Sequence, residues 1–152
     1  MAGRPYIAVV GAGQASANEL ALAEEVGALL GDAGAVVVTG GLGGVMEAAS
    51  RGARSRRGPT LGILPGEDRA EANGWVEIAV ATGLGELRNG LLVRASDALV
   101  AIGGGLGTLS EVALALRLER PVVGLGTFSV HDVEQVTTPA DAVAAALRAS
   151  AR

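Results

Sequence analysis

The 152-residue sequence contains no cysteine, no lysine and a single histidine, His131. Without cysteine there can be no disulfide, thiolate metal site or cysteine nucleophile, and one histidine argues against a conventional zinc site. All 12 basic residues are arginines, so the chain lacks the amine that pyridoxal phosphate enzymes and Walker-type phosphate loops require. We therefore expect no metal site, no cofactor and no pyridoxal-dependent decarboxylase activity.

Aromatic residues, positive charge and long apolar runs are scarce as well. Aromatics make up 2% of the chain, which removes the platforms on which nucleic-acid bases stack. The net charge of −4 opposes binding to a polyanion. No run approaches the roughly 18 apolar residues that span a bilayer, and no separate signal-peptide core stands at the N-terminus. These features predict no nucleic-acid partner, no membrane partner and a cytoplasmic location.

Apolar residues, in contrast, are abundant. They form 49% of the sequence, and the mean hydropathy is +0.42. A chain of this length is expected to form one domain over residues 1–152, because it can bury a single sizeable core. Its apolar excess indicates that copies of the chain cover part of each other's surface. A homo-oligomer, dimer or tetramer, is the expected state.

Short apolar runs alternate with helical patterns along the chain. Helices are expected from the capping box at Ser16, from Val45, from Glu86, from Thr108 and from Pro139, whereas residues 126–138 carry no clear pattern. The alternation predicts an α/β, Rossmann-like doubly wound parallel sheet of six to seven strands with helices on both faces. The six apolar runs that predict strands are 6–10, 35–38, 60–64, 75–81, 98–102 and 121–125.

Glycine clusters follow several of these predicted strands. The central one lies in the segment 97–111, which reads D-A-L-V-A-I-G-G-G-L-G-T-L-S-E. A strand, a tight turn and a helix start in succession direct free backbone N–H groups and a helix dipole at one spot, which suits a phosphate. Tight turns also use glycine whatever their function. The turn after the first strand, Gly11-Ala12-Gly13, is not a dinucleotide fingerprint, because Ser16 stands where the third glycine belongs.

Two charged residues are candidates for chemistry beside such a phosphate. Glu111 can hydrogen-bond ribose hydroxyls or orient a water, but its spacing from Thr108 also fits a capping box that would use the carboxylate. Arg88 and Arg94 lie roughly on opposite sides of one predicted helix, and one of them can clamp an anion while the other faces solvent.

Two motifs resemble those of the LOG family, the cytokinin riboside 5′-monophosphate phosphoribohydrolases. The segment 39–47, T-G-G-L-G-G-V-M-E, is similar to the family motif G-G-G-x-x-G-[LV]-M. The segment 103–111, G-G-G-L-G-T-L-S-E, is similar to P-G-G-x-G-T-x-x-E, and Arg88 stands nine residues before Asp97 as the family's functional arginine does. Departures from the family pattern include Gly103, which replaces the proline, and Asn89, which replaces the lysine that often follows the arginine.

The resemblance implies a hydrolase that cleaves the N-glycosidic bond of a purine nucleoside 5′-monophosphate, without a metal, into free base and ribose 5-phosphate. Arg88 and Glu111 would be its catalytic pair. The sequence is most similar to a bacterial branch labelled "possible lysine decarboxylase", an activity that the lack of lysine opposes. The implied phosphate and nucleotide site comprises Gly11, Gly13, Gly40, Gly41, Gly44, Met46, Asn89, Gly104, Gly105, Gly107 and Thr108.

The same branch resembles the molybdenum-cofactor carrier proteins, which bind an anionic pterin without cleaving it. The alternative function is therefore a non-catalytic carrier or sensor for a phosphorylated small molecule, such as a nucleotide or the molybdenum cofactor.

Overall fold

The computed structural model describes residues 3–152, in which strands and helices alternate along the chain. The strands are β1 (Tyr6–Gly11), β2 (Val36–Thr39), β3 (Thr60–Leu64), β4 (Ile78–Ala81), β5 (Ala98–Ile102), β6 (Val122–Leu125) and β7 (Glu134–Val136). The helices are α1 (Ala17–Asp32), α2 (Val45–Ser55), α3 (Arg88–Ala95), α4 (Leu106–Arg117) and α5 (Pro139–Ser150). Single 3-10 turns occupy Arg69–Glu71 and Gly85–Leu87. Over the described range, none of the helices combines the length and apolarity that crossing a bilayer requires.

The strands form one seven-stranded sheet in the order β4-β3-β2-β1-β5-β6-β7, and all neighbours run parallel. The chain winds outward from β1 to one edge and then crosses back to build the other half from β5. This confirms the predicted α/β doubly wound fold. The winding reverses between β1 and β5, where such sheets open a crevice beyond the carboxyl ends of their strands.

Helices cover both faces of the sheet, so the hydrophobic core has two parts, one on each face. Ile7 and Val9 of β1 pack with α1, α2 and α5 on one face. Ala8 and Val10 pack with α3 and α4 on the other. Because neither face of a central strand meets water, β1 and β5 consist of continuous apolar runs rather than an alternating pattern.

The two outermost strands differ from the sequence prediction. The run expected over 75–81 forms a strand only from Ile78, because the backbone carbonyl of Trp75 accepts a hydrogen bond from the Thr60 hydroxyl at 2.7 Å and the segment before β4 is a turn. A seventh strand, β7, forms within residues 126–138. It is short and mostly exposed, as edge strands commonly are, so it carries no apolar run that reveals it.

Two glycines bring α1 and α2 into close contact. A Cβ atom added at Gly27 would lie 2.0 Å from the backbone oxygen of Ala49, and one added at Gly52 would lie 1.9 Å from that of Glu24. The helices therefore cross with backbone against backbone. The start of α2 lies against the turn that follows β1, where the N–H of Val45 donates a hydrogen bond to the carbonyl of Ala12 at 3.1 Å.

We expect Gly52→Ala to destabilise the fold although alanine favours helices. The added methyl group forces the helices apart, and overpacking of this kind costs about 1–3 kcal/mol, more than the roughly 1 kcal/mol of helix propensity that it adds. Chemical denaturation followed by circular dichroism measures the difference. Gly107→Ala is the matched control, because a Cβ added there meets no atom within 4 Å. Equal stability of the two variants would contradict the close crossing.

Candidate functional site

A cavity of about 640 Å³ opens beyond the carboxyl ends of β1 and β5, at the point where the winding reverses. The turn after β1 and the first residues of α3 and α4 converge on it, and Met46 reaches it from α2. Elements that are distant in sequence therefore line the same cavity. The cavity is lined by Gly11, Ala12, Gly13, Met46, Glu86, Arg88, Asn89, Gly105, Leu106, Gly107, Thr108, Ser110 and Glu111.

The turn between β5 and α4 directs backbone N–H groups at this cavity. Gly104 has a φ of +108°, a conformation open to glycine but costly for other residues. The first helical hydrogen bond of α4 runs from the N–H of Leu109 to the carbonyl of Gly105 at 3.0 Å. The preceding N–H groups, from Leu106 to Thr108, therefore have no acceptor within the helix. Together with the helix dipole they form a site that suits an anion.

Gly103 explains one departure from the family motif. Its φ is +52°, whereas a proline ring holds φ near about −65°. A Cβ added at Gly103 would also lie 1.7 Å from Oε2 of Glu19. Proline is therefore incompatible with this turn as the chain builds it, whereas glycine allows both the positive φ and the close approach of the Glu19 carboxylate.

Glu111 does not cap the N-terminus of α4, although its spacing from Thr108 fits a capping box. Helix α4 begins at Leu106, two residues before the predicted start, its N-cap is Gly105, and no side-chain cap bond is formed. Thr108 instead packs against Gly104. The capping-box interpretation is thus wrong for this helix. The Glu111 side chain, only 8% exposed, lines the cavity.

The Arg88 side chain is held in place by the backbone of β3 and by the side chain of Asn89. Its Nε donates a hydrogen bond to the carbonyl of Ile63 at 2.9 Å, and Nη1 donates to Oδ1 of Asn89. A Cβ added at Gly40 would lie 2.5 Å from Nη2, so the guanidinium lies directly against that glycine. These contacts fix a 9% exposed cation at the cavity wall.

Arg88 and Glu111 influence each other electrostatically without forming a direct pair. Burial raises the pKa of Glu111 to about 7, and the nearby Arg88 charge opposes the rise. Burial likewise lowers the pKa of Arg88, and Glu111 opposes that change. Within residues 3–152, none of the ion pairs shorter than 4.0 Å joins the two side chains. Both can therefore act on a molecule in the cavity, and the carboxyl group changes charge near neutral pH.

Four of the predicted site glycines lie behind the cavity wall instead of lining it. Gly40 packs against Arg88 and Met46, and Gly104 packs against Thr108. Gly41, with a φ of +80°, contacts Leu64, and a Cβ added at Gly44, with a φ of +64°, would lie 2.2 Å from the carbonyl of Ala12. These four glycines support the loops that line the cavity. Each of them either lets a neighbouring group lie close to the backbone or adopts a positive φ.

The sequence prediction missed four lining residues. Ala12 and Leu106 occupy variable positions inside the glycine turns, and Ser110 precedes Glu111 on α4. Glu86 comes from the 3-10 turn before α3. Ala12 and Leu106 could have been inferred from their place between the glycines, but no motif marks the other two.

Comparisons with known proteins agree over nearly the whole chain. A family model described as the SLOG cluster4 family matches residues 4–150. An uncharacterized protein of Archaeoglobus fulgidus is 41% identical over 138 residues, which cover 90% of this chain and 91% of that protein.

Two of the solved structures that match this chain are similar to it in both fold and sequence. The molybdenum cofactor binding protein from the phototrophic bacterium Rippkaea orientalis is 37% identical, with a TM-score of 0.91 and 99% of each chain covered. The molybdenum cofactor carrier protein from Chlamydomonas reinhardtii is also 37% identical, with a TM-score of 0.91, 99% of this chain and 100% of that chain covered.

Glu111→Gln is expected to change how stability depends on pH. With a pKa raised from 4.5 to about 7 by folding, Glu111 favours the folded state below about pH 4.5, and this contribution is lost as the pH rises through about 7. Glutamine does not titrate. The stability of the variant relative to the wild type should therefore rise between about pH 5 and about pH 8, by roughly 3 kcal/mol at most.

Thermal unfolding across this pH range measures the effect. Glu86→Gln, which removes an exposed carboxylate from the rim of the same cavity, is the matched control. Parallel stability curves for Glu111→Gln and the wild type would contradict the raised pKa.

Proposed function

Because the chain belongs to the SLOG cluster4 family, whose model matches residues 4–150, we propose that it binds a phosphorylated heterocyclic molecule as a carrier. The first candidate for this cargo is the molybdenum cofactor. One observation carries the proposal: the unpaired N–H groups at the start of α4 and the fixed guanidinium of Arg88 face a single cavity. The similarity to molybdenum cofactor proteins supports this ligand class.

The cavity suits such a cargo in size and in charge. Small-molecule sites typically enclose about 300–1,000 Å³, and this one encloses about 640 Å³. The N–H groups of Leu106, Gly107 and Thr108 would hold the phosphate, because a helix N-terminus stabilises negative charge. Arg88 would add charge-assisted hydrogen bonds. The molybdenum cofactor contains a phosphate and a pterin ring, so it can use both the polar turn and the rest of the cavity.

Glu111 would make binding depend on pH. In its neutral form the carboxyl group can donate a hydrogen bond to an anionic ligand. Once ionised, it repels that ligand in a site that little water screens. Since its pKa lies at about 7, affinity for a phosphorylated ligand should fall as the pH rises past neutrality.

We expect Arg88→Lys to weaken cargo binding by about 10-fold or more. Lysine keeps the charge but cannot reproduce the planar guanidinium, and a hydrogen bond to a charged group contributes about 1.5–3 kcal/mol. Anaerobic gel filtration of the protein with isolated molybdenum cofactor, followed by assay of the retained pterin, measures the loss. Arg152→Lys, at an exposed terminal position, is the control. Retention unchanged by Arg88→Lys, or no retention by the wild type, would contradict the carrier.

A hydrolase is the second candidate function, and the paired charges of the cavity favour it. Glycosidic cleavage uses a carboxyl group whose pKa lies near the working pH and an environment that stabilises an oxocarbenium-like transition state. In this reaction water adds to C1′ of the ribose, the N-glycosidic bond breaks, and the base leaves with a proton. Glu111 would orient the water or hold the ribose hydroxyls, and Arg88 would complete the charge environment around the 5′-phosphate.

The hydrolase predicts release of free base from AMP or from isopentenyladenosine monophosphate. Glu111→Ala should reduce this release at least about 100-fold, because general acid–base groups contribute about 10²–10⁴-fold. Chromatography of the reaction products measures it. Glu25→Ala, which removes an exposed carboxylate of α1, should release base at the wild-type rate. Binding of either nucleotide without release would contradict the hydrolase and leave the carrier.

A further inference from the structure

A second cavity adjoins the first cavity, the one that Arg88 and Glu111 line. It encloses about 380 Å³, a volume within the range of small-molecule sites. Gly103 and Gly104 line the second cavity, whereas the residues that follow them, from Gly105 onward, line the first. The other lining residues, from α1 and from the loop after β6, are Glu19, Gly126, Thr127 and Phe128. The two cavities therefore meet along the turn between β5 and α4.

Glu19 contributes a half-buried carboxylate to the second cavity. Its Oε1 accepts a hydrogen bond from the N–H of Ser16 at 3.1 Å, as part of the capping box of α1. Its Oε2 lies against Gly103, since a Cβ added there would lie 1.7 Å from that oxygen. Within residues 3–152, Oε2 accepts no hydrogen bond and joins no ion pair. Capping α1 therefore leaves one carboxylate oxygen available to a ligand.

The loop after β6 is anchored to the glycine turn. The Thr127 hydroxyl donates a hydrogen bond to the carbonyl of Gly103 at 2.7 Å, and Nε2 of Gln135 donates one to the carbonyl of Phe128 at 2.9 Å. Phe128 is the single phenylalanine of a chain with little aromatic content. An aromatic residue beside a carboxylate offers a flat heterocycle a surface for stacking and an acceptor for the donors on its edge.

The charge of Glu19 restricts which part of a ligand the second cavity can take. A carboxylate repels a phosphate, and in its ionised form it only accepts hydrogen bonds. A phosphate therefore belongs at the N–H groups from Leu106 to Thr108 in the first cavity, and a donor-bearing heterocycle belongs in the second. The backbone between Gly103 and Leu106 spans at most about 11 Å, so one molecule of nucleotide size can reach both cavities.

We propose that the second cavity is a subsite for a 2-amino-4-oxopyrimidine ring, the ring that guanine and pterins share. Glu19 accepts hydrogen bonds from the ring N–H and from the adjacent amino group, and Phe128 stacks on the ring. Adenine instead places a ring nitrogen, an acceptor, next to its amino group, so the carboxylate repels that edge. The inference rests on the proposed function, because it assigns the heterocycle of the same phosphorylated ligand.

Calorimetry with GMP and IMP, which differ only in the 2-amino group, tests the subsite. The wild type should bind GMP at least about 10-fold more tightly, because IMP lacks one hydrogen bond to a charged group. Glu19→Gln should remove most of this preference, because an amide presents a donor as well as an acceptor. Glutamine also preserves the capping box, so the circular dichroism spectrum should be unchanged.

Glu25→Gln, which removes an exposed carboxylate from the same helix, is the matched control and should keep the preference for GMP. Measurable and equal affinity of the wild type for GMP and IMP would overturn the subsite. A preference that survives Glu19→Gln would overturn it as well.

Anaerobic gel filtration with isolated molybdenum cofactor distinguishes the two sources of the ring. If the ligand is a pterin, Glu19→Gln should retain at least about 10-fold less cofactor than the wild type. Wild-type retention together with a lost preference for GMP would assign the subsite to guanine nucleotides. Wild-type retention without any nucleotide binding would overturn the subsite alone. A wild type that binds neither the cofactor nor GMP, IMP or AMP would contradict the proposed function itself.

Discussion

The structure depends on one short piece of backbone, the glycine turn between β5 and α4. Gly103 and Gly104 take positive φ values there, so the chain leaves the buried strand and enters the helix within a few residues. The helix therefore starts at Leu106, and its first N–H groups, at the end of the sheet, have neither a helical acceptor nor a side-chain cap. The sheet holds the turn in a fixed position, and the turn exposes the polar N–H groups at the start of α4. A charged ligand can be held there without any lysine, because backbone dipoles replace side-chain charge.

The second constraint is the placement of two opposite charges in one partly dry cavity without direct contact. Arg88 donates hydrogen bonds to the carbonyl of Ile63 and to the side chain of Asn89. These bonds hold its guanidinium away from a direct ion pair with Glu111. Burial raises the pKa of Glu111 to about 7, and among residues 3–152 no ion pair engages its carboxyl group. Perturbed groups of this kind cluster at functional sites. The same arrangement serves a carrier, which needs a tunable anion site, and a hydrolase, which needs an acid–base group.

The sequence alone determined the alternation of strands and helices, the parallel sheet and the expectation of a cavity at the strand ends, because these follow from local signals: continuous apolar runs and glycine turns. The pairing of Arg88 and Glu111 at one site was also inferred from motifs, and the structure brings both to one cavity. Only the tertiary structure decided that α4 starts at Leu106, that Glu111 is not a cap, and that β7 exists. It alone decided which glycines line the cavity and which support it. These features depend on burial and on contacts between distant segments, which no local pattern records.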